Sequence, residues 1–228
     1  MSRMGSFAGR KTSLAIAAAL GAGLLGLASN ASAAILAPGG AIVAPAEPEP
    51  TFAAVLASTG PVPFVTPTFS GTVISQVLIG DVLNPFGAGF LTFTYRIVNT
   101  DADATPTNIV RITMSEFDAF LTDVSFKSGG LSPFAPAPMV SPTSIERDAT
   151  GDVIGYNYTN APLGLGQIPP GSESSLLVIQ TNAPDYRPGF LSVIDGFTAT
   201  VDSFAPVPEP AALGLLGVAG LALVRRRR

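Results

Sequence analysis

The chain has 228 residues, with 12 Lys and Arg against 16 Asp and Glu for a formal net charge of −4, and 47% of it is hydrophobic. It has no histidine, no cysteine and no tryptophan. Those absences exclude a Ser-His-Asp triad, disulfide staples and the commonest transition-metal ligand together, and they leave apolar burial to hold the fold.

The first residues are an addressing segment. Arg3, Arg10 and Lys11 supply a positive start, residues 14–27 an apolar stretch, and Ala31-Ser32-Ala33 an A-x-A pattern followed by Ala34. This is the order of a secretory signal peptide, so signal peptidase and the secretion translocon are expected partners, with cleavage after Ala33. Residues 1–33 are set apart as a signal helix. Residues 34–51, rich in Pro, Ala and Gly, read as an extended linker.

About 170 residues lie between the two chain ends, enough for one domain with a sizeable core. Its acids outnumber Arg96, Arg111, Lys127, Arg147 and Arg187 about three to one. Such a surface repels phosphate backbones, so nucleic acid is not an expected partner. From residue 52 the chain becomes short runs of Val, Ile, Thr, Phe and Tyr broken by Gly, Pro, Asn and Asp, which is strand and turn punctuation. The best strands are residues 72–79, 90–98, 109–114, 153–158, 176–181 and 197–201. Leu91, Phe93, Tyr95 and Ile97 oppose Thr92, Thr94 and Arg96, and Ile112 and Met114 oppose Arg111 and Thr113. One buried and one wet face per strand predicts an all-β fold, an antiparallel β-sandwich of Ig-like or jelly-roll-like type over residues 52–206 with eight or nine strands.

Chemistry-bearing candidates are few. Asn99, Asp101 and Asp103 place oxygen-bearing side chains at alternate positions after a strong strand, a spacing that suits calcium and equally suits an acidic turn. Glu116 and Asp118, if extended, share a face at about 7 Å, compatible with inverting glycoside hydrolysis or with a solvated strand. Tyr95, Tyr156, Tyr158 and Tyr186 offer carbohydrate stacking or core packing. No other cofactor is expected, and with no histidine the chain is expected not to be an enzyme.

The last 22 residues read VPEPAALGLLGVAGLALVRRRR. Residues 211–224 are apolar throughout, and as a helix they span roughly 21 Å against a hydrocarbon core of about 30 Å. Pro208 and Pro210 prevent an earlier helix start. Arg225, Arg226, Arg227 and Arg228 hold the end on the cytoplasmic side. A short anchor and a surface helix are the bland readings. The order of Pro208-Glu209-Pro210, apolar run and arginine block resembles the PEP-CTERM sorting tail of exported bacterial proteins. That resemblance implies exosortase as partner, recognition at Pro208, Glu209 and Pro210, and only transient residence in the inner membrane over residues 207–228. It further implies a cell-envelope, outer-surface or matrix destination in a bacterium with an outer membrane, and a structural or adhesive role in biofilm or exopolysaccharide. A carbohydrate- or calcium-binding module and a carboxylate glycoside hydrolase are the alternatives.

Overall fold

The computed structural model describes residues 34–47, 50, 53–101, 107–127, 138–159 and 166–207. Among them are fifteen strands and no helix. Both flanking helices expected from the sequence lie outside the described residues.

The first sheet is built on β5 (Ser70–Ile79) and β6 (Thr92–Asn99), antiparallel from Gly71↔Asn99 to Leu78↔Thr92. From β6 the order continues through β13 (Leu176–Thr181) and β8 (Thr122–Lys127) to β1 (Ala34–Ile35). On the other edge of β5, β3 (Ala54–Ser58) covers its C-terminal half and β4 (Val62–Val65) its N-terminal half. Two short strands, β12 (Glu173–Ser174) and β9 (Met139–Val140), extend the sheet beside the end of β6, and they pair in parallel. The second sheet runs in the order β15 (Phe197–Val207), β14 (Asp185–Asp195), β7 (Arg111–Met114), β11 (Ile154–Asn157), β10 (Ser144–Arg147), β2 (Ala41–Val43).

Alternation sends one face of each sheet into a shared core. Val73, Val77, Phe93, Tyr95, Ile97, Val124, Leu177 and Ile179 of the first sheet meet Ile112, Met114, Ile145, Ile154, Tyr156, Leu191 and Val193 of the second. Each large side chain fully buried this way contributes roughly 1.5–3 kcal/mol. Tyr156 crosses between the layers, its hydroxyl 2.7 Å from the Val178 carbonyl, and the Tyr95 hydroxyl reaches the Phe204 carbonyl at 3.3 Å. Gly71 permits a close approach within the first sheet. A Cβ there would stand 2.2 Å from the Val98 carbonyl and 2.4 Å from the Phe64 ring.

Two local expectations change. The stretch expected as linker supplies β1 and β2, one to each sheet, and Leu36 between them is 1% exposed. The two large apolar side chains it turns inward, Leu36 and Ile42, suffice because both neighbours, β8 and β10, offer open edges. The face of β6 expected to be wet is buried as well. Thr92, Thr94 and Arg96 are at most 3% exposed, and the Arg96 charge lies 3.7 Å from Glu173, itself fully buried.

Candidate functional site

The two processing points expected from the sequence lie next to the ends of the described domain. Ala34 is the first residue of β1, paired with Val124, and Val207 is the last of β15, paired with Asp185. The tail therefore leaves the domain from a strand end, with Pro208 following at once. Ala31, Ala33, Pro208, Glu209, Pro210 and Arg225 to Arg228 lie outside the described residues. The described residues contain no helix long and apolar enough to cross a membrane.

Of the calcium candidates, Asn99 closes β6 and is fully buried. Its amide donates to the carbonyls of Thr107 and Ile168, each at 3.0 Å, while its side-chain oxygen accepts the Asp101 N–H at 3.1 Å. The last bond is an Asx turn, the local use of Asn that the turn reading anticipates. Asp101 accepts the Thr107 N–H at 3.4 Å. Asp103 lies outside the described residues. Among the described residues no group of three or more acidic side chains could hold a metal ion.

Glu116 and Asp118 do not share an extended strand. β7 ends at Met114, Glu116 has a left-handed backbone with φ 75°, and Asp118 stands exposed in the turn that follows. The Asp152 carboxylate fixes this bend by accepting the Glu116 N–H at 2.7 Å, and the Glu116 carboxylate pairs with Arg187 at 3.3 Å. The spacing argument fails because it assumed extension through a point where the backbone turns. The tyrosines divide similarly. Tyr95, Tyr156 and Tyr158 are fully buried, and burial pushes their phenols well above the ordinary range. Tyr186 alone is partly exposed, edge-on to Phe204 with ring centres 5.6 Å apart.

Two polar arrangements were not legible beforehand. On the outer face of the first sheet, Asp81 accepts hydrogen bonds from Thr92 at 2.9 Å and Gln180 at 2.8 Å. On the same face, burial pushes Asp123 up to about 6 and Glu47 to about 7, the latter with help from the Asp123 charge. One oxygen of each carboxyl is buried without a donor, which favours the protonated form. A carboxyl whose folded pKa is raised contributes stability fully present below its unfolded value, near 4, and lost as pH rises through 6 to 7. The domain is therefore expected to be less stable at pH 8 than at pH 5, by on the order of 1–2 kcal/mol, most of it from Asp123 because solvent screening discounts the partly exposed Glu47. Asp123→Asn should flatten that dependence, and parallel melting curves of variant and wild type at the two pH values check it.

The second arrangement is a polar row across the outer face of the second sheet. Arg111 lies flat over Gly155, where a Cβ would come within 2.7 Å of it, and it bonds Glu146 and, at 3.2 Å, the Asn157 side-chain oxygen. Thr113, Ser192 and Thr200 continue the row by register, and Ser192 bonds Thr200 at 3.1 Å.

An all-β domain whose last strand runs directly into a Pro-Glu-Pro tail has the architecture of an exported protein with a terminal sorting signal. The family profile of the PEP-CTERM protein-sorting motif matches residues 206–228. The chain carries this motif, which marks a protein exported to the cell envelope or surface through exosortase. No curated protein and no solved structure matches the chain.

Proposed function

We propose that the chain is a non-enzymatic structural or adhesive protein of the outer surface or extracellular matrix, in a bacterium with an outer membrane. In this reading an Ig-like or jelly-roll-like sandwich is the delivered cargo, and the tail holds it only transiently at the inner membrane. The observation that carries the reading is the sorting motif, which begins at Pro206 inside β15, so that the folded domain leads straight into the sorting signal. A second reading, a carbohydrate-binding module, is favoured by the Arg111, Glu146 and Asn157 row. Sheet faces with flat hydrogen-bonding rows and an exposed aromatic on the same face, here Phe190 at 54% and two residues from Ser192, suit sugar hydroxyls and ring faces.

One experiment tests both. Wild type and Arg111→Ala/Asn157→Ala are expressed in a host with the cognate processing enzyme, and surface, matrix and inner-membrane fractions are compared. Both proteins in the surface or matrix fraction is the expected result. Loss of the double variant alone from the polysaccharide-bound fraction would favour the binding module. Wild type confined to the inner membrane would overturn the proposal.

A further inference from the structure

The loop of residues 80–90, between β5 and β6, turns its polar atoms inward and its apolar side chains outward. Asp81 is fully buried on Thr92 and Gln180, and its other oxygen accepts the Leu83 N–H at 3.1 Å. Asn84 is 5% exposed, donating to the Thr181 carbonyl at 3.2 Å and accepting the Phe86 N–H at 2.9 Å. Backbone bonds from Gly80 to Ala88, Gly87 to Asn84 and Phe90 to Gly87 close the loop on itself. Residues 82–90, VLNPFGAGF, contain no charge. Val82 and Leu83 are 57% and 41% exposed, and Leu121 of the neighbouring turn is 55% exposed.

This tip lies at the end of the domain from which the tail departs. Leu121 donates its N–H to Asn182 at 2.9 Å, and Leu91 donates to Ala183 at 3.0 Å, so both turns are tied to residues 182 and 183. Two residues further on, Asp185 pairs with Val207. The four peptide steps from Val207 to Ala211, where the apolar run begins, reach at most about 14 Å. A headgroup layer is roughly 5–7 Å deep. Whenever the run is in the bilayer, this end of the domain is held beside it.

We propose that Val82, Leu83 and Leu121 form a lipid-contact patch by which the domain rests on the outer leaflet of the inner membrane while its tail is inserted. The occupant is the lipid surface because the tether is too short for anything of protein thickness to pass beneath this end. Contact is by apolar insertion, since the acid-rich domain gains nothing from anionic headgroups, and it is therefore insensitive to salt. The inference rests on the tail's transient residence in the membrane, and the test separates the two.

The chain has no cysteine, so Leu83→Cys, Leu121→Cys and Val65→Cys can each carry a single environment-sensitive fluorophore. Val65 is 80% exposed and pairs with Ser70 at the opposite end of β5, about 30 Å of strand away. The tail-bearing chain, made without the processing enzyme, is reconstituted in phosphatidylcholine vesicles containing nitroxide-headgroup lipid and floated on a density gradient. The expected result is flotation, with most emission lost at 83 and 121, little lost at 65, and the same pattern at high salt. A chain that does not float overturns both the tail's insertion and the patch. Flotation with equal quenching at all three positions leaves the tail reading intact and overturns the patch. Quenching at 83 and 121 that requires added exosortase also overturns it, since the surface then fits the enzyme and not the lipid.

Discussion

Replacing Arg147 by alanine is expected to lower the stability of the domain by about 4 kcal/mol and its melting temperature by roughly 10 °C. Arg147 ends β10 and is 3% exposed. Every N–H of its guanidinium is used. Nε donates to the Gly151 carbonyl at 2.8 Å, Nη1 to the Leu36 carbonyl and the Thr122 hydroxyl, each at 3.0 Å, and Nη2 to the carbonyls of Phe117 at 2.6 Å and Phe120 at 2.9 Å. These five acceptors belong to the β10–β11 turn, to the end of β1, to the start of β8 and to the turn before it. One side chain thus fastens the N-terminal strand of the exported domain to both sheets. Burial pulls the Arg147 pKa down, and Asp148 and Asp118 oppose that shift. Arg147→Lys offers three donors, so it strands at least two acceptors and recovers only part of the loss. Arg111→Ala is the matched control, because its ion pair is about one-third exposed on each side and is worth at most about 1 kcal/mol. Chemical denaturation of the three variants separates these cases, and an Arg147→Ala protein as stable as wild type would refute the clamp.

How far the sequence could be read depended on how local each determinant is. β13 falls on the residues its apolar run predicts, 176–181, and β5, β6, β7 and β11 lie within two residues of theirs at each end. Alternation is a local signal and the sheets use it directly. β14 is not among the expected strands, and Pro188-Gly189 interrupts its alternation. In the fold both sit in the strand, Pro188 opposite Phe204 on the outer face, and Gly189 where a Cβ would meet that of Ala205 at 2.6 Å. The β1 and β2 pairings were invisible for a different reason. Two or three residues of Ala, Ile and Val carry no period, and only the open edges of β8 and β10, more than 80 residues away, make strands of them. Arg147, Asp81 and the Glu47–Asp123 pair share that character, since each is defined by acceptors or neighbours from distant segments. Among the candidate site residues, Asn99 is expected just past a strand and is instead the last residue of β6, and whether its oxygen faces a ligand or its own loop is a question of the Thr107 and Ile168 carbonyls. The carboxylate pair failed at one residue, Glu116, whose positive φ no propensity would assign to a glutamate. The sorting tail was the most legible part because its three elements are consecutive and need no partner from the rest of the chain.

That same locality makes the tail separable by mutation. Replacing Pro208, Glu209 and Pro210 together with alanine is expected to convert a processed protein into one that keeps residues 211–228. The apolar run spans only roughly 21 Å, yet with four arginines behind it the run resists crossing, so the unprocessed species should collect in the inner membrane. The substitutions begin at Pro208, one residue past β15, and the last strand pair among the described residues is Asp185↔Val207, so folding of the domain should be unaffected. Replacing Arg225, Arg226, Arg227 and Arg228 with serine acts on the other half of the signal. The tripeptide remains, but a marginal span without its basic stop is held less firmly, so part of the protein should leave the membrane with its tail uncut. Intact mass and membrane fractionation of wild type and both variants, in a host carrying the cognate enzyme, distinguish the roles. If wild type and the tripeptide variant have masses that both include the terminal arginines, the tail is a plain anchor, and recognition at Pro208, Glu209 and Pro210 is refuted.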